Sequence, residues 1–235
     1  MNNTHISTLK NDDINLNEQM SIIQRIKNLF VCPDKLMDYI KNTPNIIFPM
    51  LVIVFFNIGV IFIKFNQFKI FIKDELSLAL QGDTIVVTDQ LINIMALLAP
   101  LLSILVFFIS ILLSTIIFYS FVKILKGEGY FKQYVSVILY SSIVNMIGFI
   151  ILLILSMYTG KFLFSTNVSI FQIFDITLAN NYFTMFLNKL NISNILGLWQ
   201  YILIAVGVVN ISKINKKYVY LFTSVVYAVT LFLIN

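Results

Sequence analysis

Few side chains in this 235-residue sequence are of the types that carry out covalent or acid–base chemistry. The single histidine, His5, lies in a polar N-terminal stretch, and the single cysteine, Cys32, precedes a proline. Enzymes and metal sites bring several acids, bases, nucleophiles or ligands together, and no such grouping is visible here. The sequence therefore predicts a non-enzyme with no catalytic residue, no metal and no cofactor.

The acidic residues and glycines do not form a recognisable active site either. Asp175 is the only acid in the last hundred residues, and it lies in a predicted loop. The tripeptide Gly-Glu-Gly at 127–129 lacks the Gly-Lys-Ser/Thr ending and the preceding strand of a phosphate-binding loop. Its composition favours a tight turn that displays Lys126, Glu128 and Lys132.

Five apolar segments without charged residues dominate the chain and must position any functional group. Hydrophobic residues make up 59% of the sequence and charged residues 11%. About 20 apolar residues form a helix that crosses a ~30 Å hydrocarbon core. The predicted fold is an all-α polytopic membrane protein with five transmembrane helices. The predicted spans are 46–63, 92–122, 134–159, 192–211 and 218–234.

The segment before the first span predicts two short amphipathic helices. Residues 1–20 are polar and predict a disordered cytoplasmic tail. A capping box, Ser21-Ile-Ile-Gln24, predicts where the first helix of the membrane domain (21–235) begins, and Pro33 starts the second. Helices over 21–42 are interpreted as lying in the headgroup region or as packing on the cytoplasmic mouth of the bundle, and the two interpretations are compatible. Both interpretations stay open.

Basic residues predict the orientation of the chain. With the N-terminus inside, the cytoplasmic segments hold eleven Lys and Arg residues, and the longer outer segments hold five. The positive-inside rule then places the N-terminus in the cytoplasm and the C-terminus outside a cell (plasma) membrane, in a bacterium on composition. The net charge of +5 predicts contact with the lipid bilayer. Nucleic acid is not expected, because no basic cluster is long enough to follow a phosphate backbone.

Uncharged polar residues within the spans predict contacts between helices. A polar side chain in lipid needs a partner, and Asn and Ser supply hydrogen bonds across helix interfaces. The alternative is that these residues line a substrate path. The candidate residues are Asn57, Ser141, Asn145 and Asn210.

Several motifs, in order, resemble those of the Yip family (Ypt/Rab-interacting membrane proteins) in its bacterial form. They are Cys-Pro-Asp-Lys at 32–35, Ile-Lys-Asn-Thr-Pro at 40–44, the Lys-Gly-Glu-Gly-Tyr-Phe-Lys-Gln-Tyr loop at 126–134, and Trp-Gln-Tyr at 199–201. The resemblance covers residue 21 to the C-terminus and implies a five-span fold with the N-terminus inside. Eukaryotic members bind small prenylated GTPases and traffic Golgi membranes. The long Pro- and aromatic-rich cytosolic segment of those members is not visible, so GTPase binding is not carried over.

These features together predict an adaptor or organiser of a membrane protein complex, linked to transport or trafficking. Its expected partner is another membrane protein, such as a transporter subunit, or a second copy in a homo-oligomer. The alternative is a permease- or channel-like transport component. The candidate partner surface on the cytoplasmic side is Arg25, Lys27, Lys126, Glu128 and Lys132.

Overall fold

The computed structural model describes residues 20–63, 65–79, 88–159 and 192–234. Within these ranges every regular element is an α-helix. The predicted tail, apart from Met20, and the loop acid Asp175 lie outside the described residues. The helices are α1 Ile22–Val31, α2 Pro33–Asn42, α3 Ile47–Ile63, α4 Phe65–Ala79, α5 Asp89–Ile124, α6 Phe131–Ser142, α7 Val144–Thr159, α8 Ile192–Ser212 and α9 Lys216–Ile234.

Three helical stretches among the described residues are long and apolar enough to cross a membrane. They are α5, the α6–α7 stretch Phe131–Leu155, and Ile195–Ser212 of α8. A fourth is obtained if α3 and the first part of α4, bent by 81° from one another, count as one span. α9, the fifth predicted span, is not among them. A helical protein with several apolar spans is therefore confirmed, and the number five stays a prediction.

Two predicted boundaries differ from the structure. The polar residues 64–90 after the first span predict a connecting loop from the sequence, whereas the structure contains the 15-residue helix α4 there. The predicted span 134–159 is interrupted at Ile143, between α6 and α7. There the Ile143 N–H donates to the carbonyl of Tyr140 (3.1 Å) and the Met146 N–H to that of Ile143 (2.9 Å). Both bonds span three residues, so the helix is tightened locally into a 3₁₀ turn.

The helix α6 lies at the centre of the bundle. Every residue from Gln133 to Ser142 is buried, and α6 contacts α2, α3, α5 and α8. A helix that is buried all round needs apolar or internally hydrogen-bonded side chains on every face. The polar residues of α6 are therefore the first place to look for specific contacts.

The helix α2 packs into the bundle, beside α6 and α8. Its apolar residues Leu36, Met37 and Ile40 are fully buried. At the contact with α8 the space is so tight that a Cβ on Gly207 would lie 2.9 Å from the Met37 Sδ atom. Of the two interpretations of this segment, packing on the bundle therefore describes α2.

The helix α1 begins at the predicted capping box and, unlike α2, leaves most of its large apolar side chains exposed. The Ser21 N–H donates to Gln24 Oε1 (2.8 Å), and the Gln24 N–H donates to Ser21 Oγ (3.3 Å). Leu29 is buried, whereas a row of large apolar side chains on the same helix is exposed. These exposed residues are Ile22, Ile23, Ile26 and Phe30.

Candidate functional site

Two loops meet at one end of the bundle and form a single surface, called here the loop face (residues 125–130 and 213–215). The Glu128 N–H donates to the carbonyl of Ser212 (3.0 Å), and the Glu128 carboxylate lies 2.7 Å from Lys213 Nζ. Both charged side chains are about 60% exposed, so the ion pair adds little stability. The backbone bond from Glu128 to Ser212 is therefore the main connection between the two loops.

Glycines on the loop face allow close packing rather than phosphate binding. A Cβ on Gly127 would lie 2.6 Å from Ile214 Cδ1, and one on Gly129 would lie 2.4 Å from Ile211 Cγ2. Gly129 also has φ +101°, which L side chains rarely adopt. The predicted tight turn is therefore present, with both glycines in contact with the other loop or helix.

The N-terminal segment is attached to this same end of the bundle by hydrogen bonds to helix ends. Lys41 Nζ donates to the carbonyl of Asn210 (3.0 Å), one of the last carbonyls of α8. Gln133 Nε2 in turn donates to the carbonyl of Lys41 (2.6 Å) near the end of α2. The last carbonyls of a helix have no partner within it, so these two side chains cap α8 and α2. Ser136 Oγ also donates to the carbonyl of Asn45 (3.0 Å).

Arg25, predicted to lie on the partner surface, is instead half-buried inside the N-terminal segment. Its Nη2 donates to Tyr39 Oη (2.8 Å), Nη1 to Tyr140 Oη (3.3 Å) and Nε to the carbonyl of Met20 (2.8 Å). The guanidinium also lies over the rings of Tyr39 (4.8 Å) and Phe48 (5.7 Å). The guanidinium thus joins α1, α2, α3 and α6, and it positions the segment.

The other predicted surface residues lie at two places. Lys27 is exposed on α1, while Lys126, Glu128 and Lys132 are exposed on or beside the loop face. The loop face and the N-terminal segment lie at the same end of the bundle, because Lys41 contacts the last turn of α8 immediately before Lys213.

A polar cluster connects α6 and α7 with α8 at the 3₁₀ turn. Asn145 Nδ2 donates to Gln200 Oε1 (2.8 Å), and Gln200 Nε2 donates to Ser142 Oγ (3.0 Å). Ser142 Oγ donates to the carbonyl of Ile138 (2.8 Å). Inside an apolar bundle these amides and the hydroxyl must satisfy one another, so the cluster fixes the register of α8 against α6 and α7.

Among the described residues, no hydrogen bond connects the other three predicted polar residues to this cluster. Asn57 Nδ2 donates to the carbonyl of Ile53 within its own helix (2.8 Å). Ser141 Oγ and Asn210 Nδ2 are buried without a partner among the described residues. Of the four candidates, Asn145 alone has a described side-chain hydrogen bond to another helix.

Sequence reasoning missed Gln200, Tyr140 and Gln133 as contact residues. Gln200 was detectable, because an amide inside an apolar span needs a hydrogen-bond partner. Tyr140 and Gln133 carried no such signal, since tyrosine is common near the ends of membrane helices and Gln133 lies just outside the predicted span. Their partners lie far away in sequence, at Arg25 and Lys41.

The chemistry available in this arrangement is that of binding. Among the described residues, no group of three or more His, Cys, Asp or Glu side chains could hold a metal ion. The interior cluster consists of neutral amides and hydroxyls, and the loop face carries ammonium groups. Such groups donate and accept hydrogen bonds and attract anions.

Long apolar helices around a buried central helix define a multi-pass membrane protein. The chain belongs to the Yip1 domain family, whose model matches residues 27–234. This family is not a known family of enzymes. The resemblance drawn from the motifs is thereby confirmed, and the bacterial type stays a prediction. No curated protein and no solved structure matches the chain.

Proposed function

We propose that this protein is a non-catalytic integral membrane adaptor that organises a membrane protein complex, linked to transport or trafficking. The observation that carries this function is the attachment of the N-terminal segment to the bundle through Lys41, Gln133 and Arg25. These bonds make α1, α2 and the loop face one preorganised surface. A preorganised surface loses less conformational entropy when a partner binds, so it suits docking.

The proposed arrangement in the membrane has five spans, with α9 as the fifth. The N-terminal segment and both lysine-rich loops lie at the same end of the bundle, and the positive-inside rule assigns that end to the cytoplasm. The C-terminus would then lie outside the plasma membrane. The exposed apolar row of α1 (Ile22, Ile23, Ile26 and Phe30) would lie in the headgroup region of the inner leaflet.

The proposed partner surface comprises Lys27 on α1 together with Lys126, Glu128 and Lys132. Its exposed charges suit a membrane protein, such as a transporter subunit, that presents acidic side chains at the cytoplasmic surface. A second copy of this chain would occupy the surface if the protein were a homo-oligomer and not an adaptor, and the mixed charges on the loop face would permit it.

The permease alternative requires Asn57, Ser141 and Asn145 to face a water-filled path. Asn145 instead contacts Gln200 on α8, and Asn57 contacts its own backbone. These contacts favour a structural role for both residues and support the adaptor function over transport.

The adaptor function is tested by purifying the tagged full-length protein in nanodiscs from native membranes and quantifying co-purifying proteins. Deleting the N-terminal segment is unsuitable, because Leu36, Met37 and Ile40 belong to the core. Charge reversal at Lys27 and Lys132 is suitable, since both are exposed. We expect Lys27→Glu with Lys132→Glu to remove a stoichiometric partner and Lys73→Glu, on α4, to retain it. A homo-oligomer that carries only lipid would overturn the adaptor function.

A further inference from the structure

The loop face contains an open pocket of about 360 Å³. Of the proposed partner surface, Lys126 and Glu128 line this pocket, and Lys27 and Lys132 do not. Its walls come from both loops, from the last residue of α8 and from the first turn of α9.

Four lining residues have side chains that can donate a hydrogen bond to an anion. Lys126 lies on one loop, Lys213 and Asn215 lie on the other, and Tyr218 lies on α9. The acid in the lining is Glu128, which is paired with Lys213.

Two of the lining lysines have an unusual backbone conformation. Lys126 has φ 57° and Lys213 has φ 56°, and each follows the end of a helix. At Lys126 the bonds from its N–H to Lys123 O (3.0 Å) and from the Gly127 N–H to Val122 O (2.9 Å) form a Schellman motif. Glycine is the usual residue at this position, because a side chain in the left-handed region is disfavoured by about 1 kcal/mol. Despite this cost, lysine at both positions places two ammonium groups on the lining of the pocket.

The charge around the pocket is strongly positive. Residues 123–132 and 213–217 contain six lysines and one glutamate. Lys123 Nζ donates to the carbonyl of Gly129 (3.1 Å), and Lys213 is paired with Glu128. In the part of the chain that the structure describes, Lys126 has no ion-pair partner. An anion in the pocket would therefore meet the ammonium group of Lys126, which has no described ion-pair partner, and that of Lys213, which is paired with Glu128.

The surroundings of the pocket place it at the level of lipid headgroups. Ile124, Tyr130 and Tyr218 flank it and are 78%, 77% and 59% exposed. Tyrosine is enriched where the hydrocarbon core meets the headgroups. Below Tyr218, the exposed side chains of Leu221 and Val225 continue along α9. A ligand with a phosphate and acyl chains would thus meet ammonium groups at one end and an apolar helix surface at the other.

We propose that this pocket binds the phosphate of an anionic phospholipid headgroup, held by Lys126 and Lys213. The apolar continuation along α9 favours a lipid over an acidic protein segment, which would leave that surface without a partner. The lipid site shares Lys126 and Glu128 with the proposed partner surface, whereas Lys27 and Lys132 do not line the pocket. Lipid binding is therefore measured on the purified protein without a partner, and the partner test changes Lys27 and Lys132.

The test measures binding of phosphatidylglycerol to the delipidated full-length protein in a neutral detergent by native mass spectrometry. One lysine near an anionic lipid contributes about fivefold in affinity, and two contribute about thirtyfold. We expect Lys126→Gln to weaken binding about fivefold and the double variant with Lys213→Gln about thirtyfold. Lys73→Gln, which removes the same charge from α4, should leave binding unchanged.

Two further variants separate lipid binding from damage to the loop. Lys126→Gly removes the ammonium group and relieves the left-handed conformation, so it should weaken lipid binding while keeping or raising the melting temperature. Glu128→Gln removes the acid that competes for Lys213, so it should tighten lipid binding. If these residues had only a structural role, Lys126→Gly and Glu128→Gln would both weaken lipid binding, or both would leave it unchanged.

Competition identifies the source of the anion. Phosphatidylglycerol bound in the pocket should resist millimolar inorganic phosphate and a soluble polyglutamate peptide. Displacement by phosphate would show a free-anion site, and displacement by the peptide would show a protein-docking site; either would overturn the lipid assignment. The lipid assignment would also be overturned if the double variant bound phosphatidylglycerol as tightly as the unaltered protein. The same holds if Lys73→Gln lost as much affinity as the double variant.

Discussion

The ammonium group of Lys41 donates to the backbone carbonyl of Asn210 at 3.0 Å, across 169 residues of sequence. This bond joins the end of α2 to the end of α8, and it places the N-terminal segment beside the loop face. A positive charge at this point also interacts favourably with the negative end of the α8 dipole. The bond fixes the position of the end of α2, while the burial of Leu36, Met37 and Ile40 holds the helix in the bundle.

Replacing Lys41 should loosen the N-terminal segment. Lys41→Met removes the cap of α8, and we expect a loss of about 1 kcal/mol in the free energy of unfolding. Hydrogen exchange of residues 33–42 in nanodiscs should accelerate. Lys35→Met, at an exposed position on the same helix, is the matched control and should leave exchange unchanged. Equal protection in both variants would show that Lys41 does not hold the segment.

Replacing Arg25 should destabilise the protein more than replacing its exposed neighbour. Arg25→Leu leaves Tyr39 Oη and Tyr140 Oη without their described donor, which costs about 1–3 kcal/mol. Lys27→Leu changes an exposed basic residue on the same helix and should cost less than about 0.5 kcal/mol. Thermal unfolding in detergent, followed by tryptophan fluorescence, measures both. A larger loss for Lys27→Leu would contradict the positioning role of Arg25.

The polar cluster should show energetic coupling between two helices. In a double-mutant cycle with Asn145→Leu and Gln200→Leu, we expect a coupling energy of about 0.6 kcal/mol, and at most about 1.7. A cycle that pairs Asn57→Leu with Gln200→Leu should give none, since Asn57 bonds within its own helix. Unfolding in mixed detergent micelles provides the free energies. Coupling to Asn57 equal to that of Asn145 would contradict the described contact.

The two glycines Gly129 and Gly59 should respond to alanine in opposite directions. Gly129→Ala places a Cβ 2.4 Å from Ile211 Cγ2 at φ +101°, and we expect a loss of about 1–3 kcal/mol. Gly59 lies inside α3 with nothing within 4 Å of an added Cβ, so Gly59→Ala should gain about 0.5–1 kcal/mol. Melting temperatures of the two variants test this, and shifts of the same sign would contradict it.

Local sequence patterns predicted the features that depend on neighbouring residues. The capping box is present, and it involves two residues only three positions apart, Ser21 and Gln24. The start of α2 at Pro33 is also present, and it depends on the backbone constraint of a single proline. The helix α4 was missed, since its charged residues resemble those of a loop and its apolar face is short. Arg25 was placed on the surface, because a charged side chain in an amphipathic helix is usually solvated.

The sequence by itself determined that this is a helical membrane protein of the Yip1 family, with lysine-rich loops and two short N-terminal helices. The helices and the charged loops follow from residue type and spacing along the chain, which hydropathy and periodicity report directly, and the family follows from the resemblance of the ordered motifs to those of its members. The tertiary structure alone decided that α2 fills a place beside α6 and α8, that Asn145 contacts Gln200, and that Glu128 joins the two loops. Such pairings join residues far apart in sequence, and they are selected by the shape of the packed helices and by the need to satisfy buried polar groups.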